Sequence, residues 1–318
     1  MKSKLIKILK ISLPIAIGVY LTLYFVSNST ETEKEYFLKS LSEANYGWIL
    51  VALIIAFLAH LSRAYRWKYL LETLDIKPKL SLMYHSVMIG YIINLTIPRS
   101  GELARAAYFS RYQKTKSDQI FGTIVIERVI DLIMFALVFF IAFLFQADQE
   151  KFNELRQISN TSSNPYLLPS LLVLGIIFLG ILIGLKKIRV KILNFLKGII
   201  QGATAIIRLK NKIGFLIHTF FIWFCYISML WITALALPDM ENITINAVFA
   251  CFVAGTIAIG ATPGGIGLYP IMVASVLMEL YGYDGQVAKS FGMLMWSSQT
   301  IFMILLGIIS LIAIKKEN

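Results

Sequence analysis

Acidic side chains are scarce in this sequence, 18 against 30 lysines and arginines, and charged residues of both signs fill only 15% of its 318 positions. With 58% of residues apolar, too little polar surface remains to cover a soluble globule. That excludes an ordinary water-soluble enzyme or binding domain. Cysteine is limited to Cys225 and Cys251, each inside an apolar run where a thiol behaves as a small hydrophobe. Histidine occurs three times, at His60, His85 and His218, with no HExxH pair and no His/Cys cluster, so no metal site is expected. Neither a nucleotide-binding loop nor a GxSxG nucleophile elbow occurs, and no cofactor is expected.

What is present is a series of long apolar runs with basic or acidic links. The formal charge of +12 sits in those links rather than on aromatic-interleaved patches, so it points to membrane topology and not to nucleic acid. Full spans are expected near residues 8–27, 46–62, 119–146, 165–185, 213–237 and 290–314. The first follows a basic start but lacks a small-x-small cleavage site, which makes it an uncleaved span rather than a signal peptide. Lys2, Lys4, Lys7 and Lys10, the link from Arg63 to Lys79, the acid-free stretch 186–212 and the tail lysines Lys315 and Lys316 mark the cytoplasmic side. Links 28–45 and 147–164 hold most of the acids and fall outside. Both termini are therefore expected in the cytoplasm. Within 186–212, Lys187, Lys191, Arg208 and Lys212 share one helical side, as in an interfacial helix on an anionic leaflet; a solvated basic linker is the alternative.

Two further apolar stretches, 80–97 and 244–280, must return to the side they entered if the charge pattern is obeyed. As one straight helix the second would be about 55 Å long against a hydrocarbon core of about 30 Å. Its break falls at TPGGIG, residues 262–267, as that of the first falls at Pro98. The expected fold is therefore an all-α polytopic membrane protein, about six full spans plus two re-entrant or broken helical hairpins arranged as an inverted repeat. It forms one integral membrane domain over 1–318, with a first span–hairpin–span in 46–146 and an inverted second in 213–314. Pro98 and Pro263 occupy corresponding places in the two, which is where transporters of this kind build their sites.

The candidate substrate-binding residues follow from that. Irregular backbone at membrane depth survives only against protein or a wet cavity. Pro98 and Pro263 interrupt helices, and Gly101, Gly264, Gly265 and Gly267 permit tight turns and close approach. A helix restarting after each break would point N–H groups at an anion, with Ser100 as N-cap and Arg99 and Arg105 as paired donors. Asn94, Glu102 and Tyr269 are polar groups near the breaks. In ERVID, residues 127–131, Glu127 and Asp131 lie four apart on one helix face with Arg128 between them. They serve either as salt-bridge partners of Arg99, Arg105 or Arg128, or as a proton or cation relay. In SRAYRW, residues 62–67, Arg63 and Arg66 read as interface anchors or an entry point for an anionic head group, with Trp67 at head-group level.

SRAYRW, NLTIPRSGELAR, ERVIDL and TPGGIG, in that order and spacing, resemble the membrane region of lysylphosphatidylglycerol synthases and their flippase-like stand-alone relatives, the UPF0104 group. The resemblance covers nearly the whole chain. It implies a multi-pass protein of the bacterial plasma membrane that translocates a lipid or lipid-linked head group, without catalysis. Its partners would be the bilayer and an anionic or aminoacylated membrane lipid; a homo-oligomer is left open. The sequence stops at Asn318 just after the last span, so the synthases' lysyl transfer is not expected. The family often carries a glutamate shortly after its PGG motif, where this sequence has Pro270. A membrane-embedded enzyme acting on a phospholipid or polyprenyl phosphate through Glu127 or Asp131, or an accessory scaffold for a lipid-modifying partner, are the competing classes.

The topology has a direct test. Cysteines introduced at Lys79 and Ser117 should react with an impermeant label from the cytoplasm only, and one at Gly285 from outside; external labelling at Ser117 would remove the inverted repeat.

Overall fold

The structure, a computed structural model, describes residue 20 and residues 30–97, 100–146 and 209–316. The expected spans at 8–27 and 165–185, most of the basic stretch 186–212, and the break residues Pro98 and Arg99 lie outside the described residues. All regular structure among the described residues is helical, and the chain is an all-α polytopic membrane protein. The helices are α1 (Glu31–Glu43), α2 (Tyr46–Leu71), α3 (Leu80–Thr96), α4 (Gly101–Gln113), α5 (Ser117–Gln146), α6 (Lys212–Ala234), α7 (Ile245–Ala261), α8 (Leu268–Tyr281) and α9 (Gly285–Lys316). Among the described residues four stretches are long and apolar enough to cross a bilayer: Tyr46–Leu74, Ser117–Phe145, Lys212–Ala234 and Gly285–Ala313. The chain divides into two compact units, one ending at Glu127 and resuming at Leu209, the other running from Arg128 to Arg208.

In the first unit α2 packs along α6, and the reason is visible in its sequence. Asn45 caps the helix by accepting from the Gly47 N–H at 3.0 Å. Ala52, Ala56 and Ala59 then form a buried small-residue stripe that admits the neighbouring backbone, as membrane helix pairs require. The opposite side exposes Leu50, Ile54 and Phe57, the kind of surface lipid covers. Polar residues enter the stripe only near its far end, at Ser62, Arg63 and Arg66.

The broken hairpins are α3 with α4 and α7 with α8. Their limbs match in length, 17 and 13 residues against 17 and 14. The return limb of the first, Gly101–Gln113, is the helix expected to restart after the break; folded back on α3, it buries Arg105 and Phe109. Close approach makes this possible. A Cβ on Gly101 would lie 2.1 Å from the Gly90 carbonyl oxygen, so the two backbones touch there. Gly255 has the corresponding place in α7, eight residues before its proline as Gly90 is (263 − 255 and 98 − 90), and receives the ring of Tyr269.

The two breaks also meet. The PGG turn is a single 3-10 turn with Gly264 at φ 59°, which a side chain tolerates poorly, and a Cβ there would be 2.3 Å from Leu95 at the end of α3. Trp296 of α9 donates its indole N–H to the Gly264 carbonyl at 2.9 Å and so satisfies an acceptor that the interrupted helix leaves open. Pro270 lies in the first turn of α8, where its missing N–H costs no helical bond, and its backbone rests on Gly292 of α9.

The acidic link before α2 contains an element that was not foreseen. α1 opens with a capping box between Thr30 and Glu33 and is tied to residues distant in sequence. Glu33 pairs with Lys289 at 2.7 Å, Tyr36 donates to Asp239, and the Asn45 N–H donates to the Ala236 carbonyl at 2.9 Å. The Lys289 hydrogen bond holds the Glu33 carboxyl below its ordinary range, while burial and Asp239 push the Tyr36 phenol up to about 12.

Replacing Gly101 with alanine should cost about 1–3 kcal/mol, because backbone rather than a flexible side chain must yield. Thermal denaturation in detergent checks it, with Gly122→Ala as the control, since no atom lies within 4 Å of its added Cβ.

Candidate functional site

Three of the candidate residues converge on a fourth, a carboxylate inside the first unit. Glu127 is fully buried, and both of its oxygens are held by arginines. Arg105 of α4 grips it with a two-pronged fork, Nη1 to Oε1 at 3.2 Å and Nη2 to Oε2 at 3.0 Å. Arg63 of α2 adds Nε to Oε1 at 2.9 Å, and Arg66, one turn on, brings Nη2 to 3.4 Å from the same oxygen. All three guanidiniums are at most 5% exposed.

The helices supply what such a cluster needs. Arg63 also donates to Tyr226 at 3.1 Å and Arg66 to Thr219 at 3.3 Å, both on α6. The Arg105 guanidinium lies 3.8 Å from the centroid of Trp67, a cation–π contact made in a dry interior. Trp67 is itself fixed by its N–H to Thr123 at 2.9 Å and by Phe109 against its ring. Trp67 is therefore not an anchor exposed to lipid: its fully buried ring is the platform for Arg105. Arg63 and Arg66 are likewise interior ion-pair partners and not surface anchors. Thr219 and Tyr226, seven residues apart on α6, are neighbours of the cluster that the motifs did not include.

The remaining candidates separate. Arg128 pairs with Asp131 at 3.2 Å along α5, within the second unit. At the first break Ser100 does not cap α4; its backbone is already helical and its hydroxyl donates to the Ile97 carbonyl at 2.6 Å. The cap comes from α3, where Asn94 accepts the Gly101 N–H at 2.7 Å and its amide lies 3.5 Å from Glu102. Pro98 and Arg99 fall outside the described residues. At the second break Pro263 and Gly265 are buried in the turn, Gly265 and Gly267 share its positive φ, and the Tyr269 ring is packed on Gly255. Those residues shape the turn that meets Leu95.

Residues 11–307 match the family described as the lysylphosphatidylglycerol synthase TM region. The chain belongs to this family. A UPF0104 membrane protein of Methanocaldococcus jannaschii is 29% identical over 101 residues, which cover 31% of this chain and 30% of that relative. The match thus spans less than a third of the curated relative's own length. No solved structure matches.

Breaking a buried ion cluster from one side leaves charge uncompensated. Glu127→Gln should destabilise the protein by about 3–5 kcal/mol, and adding Arg105→Gln should recover part of that loss. Denaturation midpoints of the single and double variants decide it.

Proposed function

We propose that this protein is a flippase-like translocase that moves a lipid, or a lipid-linked group with an anionic head, across the plasma membrane of a bacterial cell. The observation that carries the reading is the pair of interrupted hairpins whose tips touch at Leu95 and Gly264, the first of which carries Arg105 inward to the buried cluster one turn beyond its tip. Helices broken at corresponding places in two repeats are the arrangement by which transporters place a polar site between two faces. On this reading the repeats have opposite orientation, both termini are cytoplasmic, and the first hairpin enters from the cytoplasm and the second from outside.

A transport role fits the chemistry of the cluster better than catalysis. Both oxygens of Glu127 accept from guanidiniums, which suits an electrostatic latch and not a general base that must reach a substrate proton. Arginines with planar forks are suited to phosphate and carboxylate groups. Asn94, Glu102 and the PGG turn would then border the passage at the tips.

The test is reconstitution in vesicles with a fluorescent phospholipid whose outward appearance is followed by quenching. Arg105→Gln should weaken head-group binding by about 1.5–3 kcal/mol through loss of a charge-assisted hydrogen bond, and Arg105→Lys should restore it only in part, since lysine lacks the fork. Unchanged movement of lipid by a folded Arg105→Gln protein would rule the reading out.

A further inference from the structure

We infer that Glu127 occupies the seat that a substrate's phosphate group takes during the cycle, so that in this conformation the site is held shut by the protein's own carboxylate. The identity of the moving molecule as a lipid rests on the translocase reading; the seat itself does not.

Three features of the cluster point to a phosphate. The first is crowding on one atom. Oε1 of Glu127 takes Arg63 Nε at 2.9 Å, Arg105 Nη1 at 3.2 Å and Arg66 Nη2 at 3.4 Å, while Oε2 takes Arg105 Nη2 at 3.0 Å. Donors from three arginines thus crowd one oxygen, and a phosphate, with more oxygens on a tetrahedral frame, would spread them. The second is a donor left over. The Nε–H of Arg105 is buried and has no hydrogen-bond partner among the described residues, although the side chain is only 4% exposed. A carboxylate has no third oxygen to offer it; a phosphate has. The third is rigidity of the cradle. Trp67 stacks under the Arg105 guanidinium at 3.8 Å and is pinned by Thr123, while Tyr226 and Thr219 hold Arg63 and Arg66 from α6. These contacts do not involve Glu127, so the donors stay aimed at the seat when the carboxylate leaves it.

Glu127 and a phosphate therefore compete for one position. Entry of the ligand requires the carboxylate to withdraw, and its return expels the ligand. A second binding partner that can only replace the first is a lock, and each state excludes the other.

Purified full-length Glu127→Ala protein in detergent should gain thermal stability from inorganic phosphate in a saturable way, by several degrees, and at several-fold lower concentration than from formate. Chloride at matched ionic strength should have little effect, and wild-type protein, whose seat is filled, should not respond. Glu127→Asp guards against failure of the alanine variant to fold: its carboxylate is one methylene shorter, keeps the charge, and should show a smaller rise with phosphate. Rescue by formate without rescue by phosphate in both variants would make Glu127 a structural ion-pair partner only and overturn the proposal. An equal rise in wild-type protein, or none in either variant, would overturn it as well. Short-chain phosphatidic acid in mixed micelles separates the two sources of phosphate. Stabilisation at least about tenfold below the inorganic phosphate concentration supports a lipid head group, with the added burial of acyl chains as the cause. Equal potency would uphold the seat while overturning its assignment to a lipid.

Discussion

A charge taken out of water inside a membrane protein must be met by groups that replace its hydration, and the cost of failing to do so is larger than most single packing terms. Glu127 and its three arginines impose that condition on this chain. Their side chains come from α2, α4 and α5, and two more partners come from α6, so these four helices must reach one place with correct register. The condition explains why α4 is folded inward at all. Its sequence is too polar to enter a bilayer for hydrophobic reasons, yet Arg105 finds a carboxylate and an aromatic platform there, and Phe109 closes the space beside Trp67.

Packing at the hairpins serves the same end. Gly90 against Gly101 removes the side-chain volume that would otherwise hold α4 away from α3, and Asn94 takes up the first N–H of the returning helix. On the other hairpin Gly255 and the ring of Tyr269 achieve a similar closeness with a different pair of residues. The PGG turn then rests on Leu95, and Trp296 satisfies its carbonyl. The Gly101 N–H and the Gly264 carbonyl thus each have a side-chain partner, as irregular backbone at membrane depth requires.

Much of this was legible in the residues. Apolar length and the Lys/Arg distribution marked the long helices, and proline and glycine marked the breaks, because both signals act locally. The candidates Arg63, Arg66, Arg105 and Glu127 were visible as charges in or beside apolar runs. Their convergence was not, because residues 63, 66, 105 and 127 are brought together by helix register and crossing, which no local pattern records. Trp67 misled for a related reason: an amphipathic ring next to arginines suits an interface as well as a buried cation–π platform, and only burial distinguishes the two. Ser100 had the right chemistry for a cap, but Asn94 on the facing helix reached the N–H first. α1 carried a legible signal in Thr30 and Glu33, three apart, which the acidity of the segment obscured.

The ties of α1 also bear on how the molecule is made. Tyr36 and Asp239 are separated by 203 positions, and Glu33 and Lys289 by 256. A chain emerging from the ribosome presents α1 early, yet Ala236 and Asp239 arrive only just before the second hairpin and Lys289 only after it. Contacts of such separation close late, after most of the ordering entropy has already been spent by nearer pairs. Docking of this short polar helix is therefore a completion step, one that waits on partners synthesised some two hundred residues later.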